Sequence, residues 1–78
     1  MNEQDLLQNV KSQFIDNEDI TLTMSTNFRQ IESYDSLTGM AILVMIKDKY
    51  GINLSNAEFI AQITINDLLN VIESKINE

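Results

Sequence analysis

One short segment of this chain places a potential nucleophile at the start of an apolar helix. Asp35, Ser36 and Leu37 precede a run of mostly apolar residues that extends to Ile46. Asp35 is a favourable N-cap, because its carboxylate can accept a hydrogen bond from an unpaired amide of the first helical turn. Ser36 is then predicted to occupy the first helical position with a free hydroxyl. Since the amides and dipole of a helix N-terminus favour negative charge, a phosphate ester on Ser36 would be stabilised there.

The helix that follows is apolar on two opposite faces. A surface helix of a small protein needs only one apolar stripe to pack against the core. At about 100° per residue, the stripe predicted to face the core comprises Gly39, Ile42, Leu43, Ile46 and Tyr50. The opposite face, called the outer stripe below, comprises Leu37, Met40, Ala41 and Val44. The outer stripe begins beside Ser36, and it either contacts partner proteins or packs under the loop that precedes the helix.

The composition restricts the chemistry that the chain can perform by itself. It contains no histidine and no cysteine, which removes the commonest general base, the commonest metal ligand and every thiolate or disulfide. We therefore predict that the chain is not an enzyme, has no catalytic residues and has no metal site built from histidine or cysteine. Its 12 acidic and 5 basic residues give a net charge of −7. That balance opposes nucleic-acid binding and favours partners with basic surfaces.

The ends and length of the chain predict a small cytoplasmic protein. The first five residues, Met1 to Asp5, lack the basic segment of a signal peptide. The longest apolar run, residues 39–46, is far shorter than the roughly 20 residues that span a bilayer. We expect residues 1–78 to form a single domain that is monomeric and does not insert into membranes.

Hydrophobic periodicity predicts an all-α fold with four helices. The predicted ranges are residues 2–15, 36–50, 56 to about 62, and 65–76. Gly51 is a natural stop for the second helix. The third and fourth helices each begin with a capping-box pattern, in which Ser55 and Thr64 are the caps. Residues predicted to face inward from these two helices are Phe59, Ile60, Ile63, Ile65, Leu68, Leu69, Ile72 and Ile76.

The segment between the first two helices, residues 16–33, is long for a loop in a compact domain. Its spaced apolar residues indicate that it is pinned across the core, with a helical turn at residues 28–31. The alternation at residues 20–24 is also typical of a strand, but no second strand is available to pair with it. Asp16, Glu18 and Asp19 form an acidic cluster, which either binds a divalent cation or is a solvated helix exit.

These features resemble the acyl carrier proteins. The resemblance rests on the acidity and length of the chain, on the loop containing Phe28, and on Asp35-Ser36-Leu37 at the start of the second helix. It covers essentially the whole chain and implies a four-helix bundle with a long loop between helices one and two and a short third helix. It also implies a 4′-phosphopantetheine arm on Ser36, transferred from coenzyme A by a separate phosphopantetheinyl transferase. The thiol of the arm would hold acyl groups as thioesters.

The resemblance also implies roles for the neighbours of Ser36. Asp35 would help the transferase to recognise its target. The outer stripe would contact the acyl-transferring and acyl-modifying enzymes of fatty-acid, polyketide or related lipid biosynthesis. Two other functions remain open: an aminoacyl or peptidyl carrier with the same arm, and an unmodified helical interaction module.

The sequence departs from the family pattern before and along the second helix, since Glu32-Ser33-Tyr34 precedes Asp35 and Thr38 and Ala41 also differ. Lys47 and Lys49 lie where acidic residues are common, and Gly39 replaces a larger residue. The lysines predict that partner binding is mostly apolar. The aromatic residue before Asp35, Tyr34, resembles that of stand-alone carriers of dedicated pathways, so we expect the carrier to serve such a pathway. A glycine inside a helix costs roughly 0.5–1 kcal/mol relative to alanine. Gly39 is therefore predicted either to leave room for an acyl chain one turn from Ser36 or to let the loop pack closely.

Overall fold

The computed structural model describes residues 2–77, so that Met1 and Glu78 lie outside the described residues. Within this range the chain forms four α-helices and no strand, which confirms the predicted all-α bundle with a short third helix. The helices are α1 (Glu3–Lys11), α2 (Ser36–Tyr50), α3 (Asn56–Ile60) and α4 (Ile65–Ile76), with one 3-10 turn at Phe28–Gln30 in the long first loop. None of the helices in residues 2–77 has the length and apolarity needed to cross a membrane.

Local capping determines where α2, α3 and α4 begin and where α2 ends. Ser55 and Glu58 exchange hydrogen bonds as a capping box at α3. Thr64 and Asp67 do the same at α4. Gly51 ends α2 in the left-handed conformation, with φ of 70°. All three features are as predicted, because each depends only on residues within one turn.

The first helix is shorter than predicted, since it ends at Lys11 rather than at Ile15. Beyond it the backbone forms tighter turns, with the amides of Gln13 and Phe14 bonded to the carbonyls of Val10 and Lys11. These turns keep Phe14 buried, as a continued helix also would, but they leave the side chain of Ile15 92% exposed. Periodicity did not reveal the change because the burial of Phe14 fits both geometries.

The core lies between the inner face of α2 and residues contributed by the other helices and the first loop. Its buried apolar members are Leu6, Val10, Phe14, Phe28, Ile42, Met45, Ile46, Phe59, Ile65, Leu68, Leu69 and Ile72. Three residues predicted to face inward, Ile60, Ile63 and Ile76, are exposed instead. The five-residue α3 buries Phe59 and turns Ile60 outward, because successive helical residues point about 100° apart.

The spaced apolar residues of the long first loop pack against the core, as predicted, and the loop is also pinned at the junction of α3 and α4. The backbone amide of Asn66 donates to the carbonyl of Met24 at 2.8 Å. Asn27 and Thr64 form an isolated antiparallel bridge. The predicted helical turn is present as the 3-10 turn that begins at Phe28, whose side chain is fully buried. Residues 20–24 form no strand, which confirms the rejection of that alternative.

Arg29 fastens the same loop to the end of α3. Its guanidinium lies 4.8 Å from the centre of the Phe28 ring and 4.7 Å from that of Phe59. It also donates hydrogen bonds to the carbonyls of Phe59 and Gln62. The cation therefore satisfies carbonyls near a helix C-terminus while contacting two aromatic faces. This arrangement fixes the loop that leads to the start of α2.

Candidate functional site

The start of α2 is formed by Asp35, as the sequence predicted. One carboxylate oxygen, Oδ1, accepts hydrogen bonds from the Thr38 amide at 2.9 Å and from the Thr38 hydroxyl at 3.0 Å. The Asp35 backbone is extended, and Ser36 is the first helical residue. The role of Thr38 as the partner of the cap was not predicted from the sequence, although Thr38 lies three residues after the cap, where capping residues recur.

The hydrogen bonds from Thr38 also favour the charged form of Asp35. Two hydrogen bonds lower the pKa of the Asp35 carboxyl below its ordinary value: the bond from the Thr38 amide has the larger effect, and the bond from the Thr38 hydroxyl has the smaller one. The amide of Leu37 acts in the same direction, and partial desolvation opposes it. The carboxylate therefore stays charged to a lower pH than that of an ordinary aspartate.

Ser36 differs from Thr38 in that its hydroxyl is available. Ser36 is exposed, and its hydroxyl forms no hydrogen bond with residues 2–77. Thr38 is buried, and its hydroxyl is bound to Asp35. The helix therefore begins with one hydroxyl used for structure and one presented to solvent at the positive end of the helix dipole. A covalent phosphate group fits this position, since it meets open space and favourable electrostatics.

The outer stripe is exposed, so the alternative that it packs under the loop is wrong. Leu37 is 74% exposed, Met40 61% and Val44 58%, while Ala41 is half-buried. The opposite face is covered: Ile42 and Ile46 are fully buried. Contiguous apolar side chains exposed on a soluble domain are typical of a contact surface.

The exposed apolar surface extends beyond α2 to the first loop. A surface groove beside Ser36 is lined by residues that include Ile15, Asp35, Leu37 and Thr38. A second groove, lined in part by Met40, Ala41 and Val44, shares Gln13 with the first. Ile15 is the residue of this surface that sequence reasoning missed. No sequence signal identified it, because the prediction placed it inside the first helix.

The acidic cluster of the first loop gives no support to the divalent-cation alternative. Asp16 accepts a hydrogen bond from the Ser33 hydroxyl at 2.6 Å, which ties the start of the loop to its end. Among residues 2–77, no group of three or more acidic side chains is placed to hold a metal ion. Asp16 thus has a structural contact close to the residues that lead into α2.

Comparison with known proteins identifies the family. A family model described as a phosphopantetheine attachment site matches residues 5–72, most of the chain. A search of curated proteins found no match. Members of the matched family bind 4′-phosphopantetheine covalently, and its carrier domains are non-catalytic. The chain belongs to the phosphopantetheine attachment site family.

Proposed function

We propose that this protein is an acyl carrier protein whose 4′-phosphopantetheine arm is attached to Ser36. It holds acyl groups as thioesters and carries them between enzymes of fatty-acid, polyketide or related lipid biosynthesis. The observation that carries the proposal is the exposed hydroxyl of Ser36, which is free of hydrogen bonds to residues 2–77 at the capped start of α2. Family membership supports the carrier role.

The residues around Ser36 prepare it to accept the arm. Asp35 holds the first turn by accepting from Thr38, so that the Ser36 hydroxyl has a defined position on a rigid helix. In the transfer, this hydroxyl attacks the phosphorus of coenzyme A that bears the pantetheine and gives up its proton to a base of the transferase. The pyrophosphate bond of coenzyme A breaks, and adenosine 3′,5′-bisphosphate leaves, while the separate transferase supplies magnesium and the catalytic groups. The phosphodiester that forms on Ser36 lies at the positive end of α2. The arm supplies the thiol that this cysteine-free chain lacks.

The partners contact the surface that begins at Ser36. In this proposal the phosphopantetheinyl transferase recognises Asp35. The acyl-handling enzymes contact the outer stripe, Leu37, Met40, Ala41 and Val44. The exposure of the outer stripe supports this assignment. We also propose that the carrier is cytoplasmic and monomeric, and that its partner enzymes perform every catalytic step.

Intact mass spectrometry tests the attachment site. Incubation with coenzyme A, magnesium and a broadly specific transferase is expected to add one phosphopantetheine to the wild-type protein and none to Ser36→Ala. Ser33→Ala is the matched control, because that serine is nearby but its hydroxyl is bonded to Asp16. The control is expected to be modified like the wild type. A modified Ser36→Ala protein, or an unmodified wild type, would contradict the proposal.

A further inference from the structure

The space beside Gly39 is filled by the side chain of Tyr34. A β-carbon added to Gly39 would lie 2.6 Å from the Tyr34 hydroxyl, 3.4 Å from its Cζ and 3.5 Å from Cε2 of Phe59. Gly39 is buried and lies about one helical turn from Ser36. The structure therefore supports the alternative of close loop packing, because Tyr34 occupies the space that the other alternative reserved for an acyl chain. Helical periodicity placed Gly39 on the inner face but did not show which loop residue meets it.

Tyr34 belongs to a group of four rings, called the aromatic cluster below. Its ring centre lies 6.3 Å from that of Phe14 and 5.9 Å from that of Phe28, the latter in an edge-on arrangement. Phe28 in turn lies 5.8 Å from Phe59. Phe14, Phe28 and Phe59 are buried, whereas Tyr34 is half-buried at the edge of the cluster. Tyr34 is thus the member of the cluster between the deeper rings and the surface near Ser36.

Hydrogen bonds of Tyr34 itself and of the next residue fix the backbone at this position. Its backbone amide donates to the carbonyl of Ile31 at 2.9 Å. The next residue, Asp35, is bound to the first turn of α2. Behind Tyr34, the Arg29 guanidinium lies against the rings of Phe28 and Phe59. Displacing the tyrosine would therefore disturb aromatic contacts that extend from the first loop to α3.

From this geometry we propose that Tyr34 closes the interior of the helix bundle to cargo attached at Ser36, so that the cargo stays outside the core. The inference rests on the proposed function, since it requires an arm on Ser36. An apolar chain buried beside Gly39 would stabilise the native state increasingly with its length, because each added methylene would leave water. Closure by Tyr34 removes that dependence on chain length.

Thermal unfolding of the loaded wild-type protein tests the closure. The arm on Ser36 would carry acetyl, hexanoyl or decanoyl groups, with loading verified by intact mass. The three melting temperatures are expected to agree within about 1 °C. A progressive rise with chain length, reaching about 4 °C or more for decanoyl, would show that the chain enters the core and would overturn the inference. Failure of wild-type Ser36 to accept any arm would instead contradict the proposed function itself.

Two substitutions test whether Tyr34 is the residue that keeps the acyl chain out of the core. Tyr34→Ala opens the space beside Gly39, and its melting temperature is expected to rise from the acetyl to the decanoyl form. Tyr34→Phe retains the ring and is expected to behave like the wild type. If Tyr34→Ala does not fold, side-chain methyl NMR of the wild type decides, with Ile42 and Ile46 signals expected to be identical for acetyl and decanoyl. The role of Tyr34 would be overturned if Tyr34→Ala folds but its melting temperature does not rise with the length of the acyl chain. It would also be overturned if the Ile42 and Ile46 methyl signals of the wild type differ between the acetyl and decanoyl forms.

Discussion

The two faces of α2 have similar apolar residues but opposite environments. On the inner face, Ile42 and Ile46 are fully buried. On the outer face, Leu37, Met40 and Val44 are each more than half exposed. The comparison shows that apolar character alone does not distinguish a buried face from an exposed one. What distinguishes them is whether other elements of the fold cover the helix.

The coverage of the inner face comes from distant parts of the chain. Buried residues of α1 and α4, such as Leu6 and Ile72, belong to the same core cluster as Ile46. Two grooves lie beside the outer stripe, and one of them is lined in part by the exposed Ile15. We therefore expect substitutions on the inner face to change folding stability, and substitutions on the outer face to change partner binding.

The largest effect is expected for truncation of the inner face. Ile46→Ala should lower the free energy of unfolding by about 2–5 kcal/mol, because it removes buried methyl groups and leaves a cavity. Val44→Ala on the outer face is the matched control and should change the free energy by about 0.5 kcal/mol or less. Chemical denaturation measures both. Equal losses would contradict the assignment of the faces.

The next effect concerns binding through the outer face. Met40→Ala or Val44→Ala should weaken the affinity for a pathway partner enzyme about tenfold, or 1.4 kcal/mol, without loss of stability. Asp48→Asn, on the same helix, is the control and should have a smaller effect. Raising the salt concentration should weaken binding only mildly, because apolar contact is little screened.

The same measurement with a general fatty-acid synthase component tests partner choice. Since α2 carries Lys47 and Lys49 against a single acid, Asp48, an enzyme with a basic docking surface should bind poorly. Tight binding to that enzyme that falls steeply with salt would contradict both the apolar interface and the dedicated pathway.

A smaller change in the free energy of unfolding is expected for Gly39→Ala, and it should reveal the contact between Gly39 and Tyr34 on the inner face. Alanine at position 39 gains roughly 0.5–1 kcal/mol of helix propensity. In the wild type, that gain should be offset because the new β-carbon would meet the Tyr34 hydroxyl. In a Tyr34→Phe background the closest contact falls to ordinary range, and Gly39→Ala should then be more favourable. Denaturation of the four proteins in this cycle gives the coupling, and full additivity would contradict the close packing.

The smallest effect is expected at the start of α2, where both faces begin. The pKa of Asp35 is lowered in the folded protein by the Thr38 hydrogen bonds. Its carboxylate therefore contributes stability above its unfolded pKa, and the contribution is lost as pH falls below about 4 and through the lower folded pKa. Melting temperatures measured from about pH 7 to pH 3 should show a shallower acid loss for Asp35→Asn than for the wild type.

The control for the pH series is Asp48→Asn, an exposed acid on the same helix. Its profile should follow that of the wild type. An Asp35→Asn profile identical to the wild-type profile would contradict the capping role of the charged carboxylate.

The sequence by itself determined the boundaries of α2 and the identity of the candidate attachment residue. Asp35 caps the start of α2 and Gly51 caps its end. Both caps act within one helical turn, so the residue types alone predict them. The periodic placement of Ile42 and Ile46 likewise predicts which face of the helix is buried. The caps and the buried face of α2 can be predicted from the sequence because the residues that determine them lie within or next to the helix itself.

Only the tertiary structure decided which apolar residues are covered and which are exposed. The outer stripe is exposed because the first loop is pinned instead at α3 and α4, through Arg29 and the Asn27–Thr64 bridge. The same loop course brings Tyr34 over Gly39, and the early end of α1 leaves Ile15 exposed. Each of these outcomes depends on the course of the folded chain, and the long-range contacts that fix the loop leave no periodic pattern in the sequence.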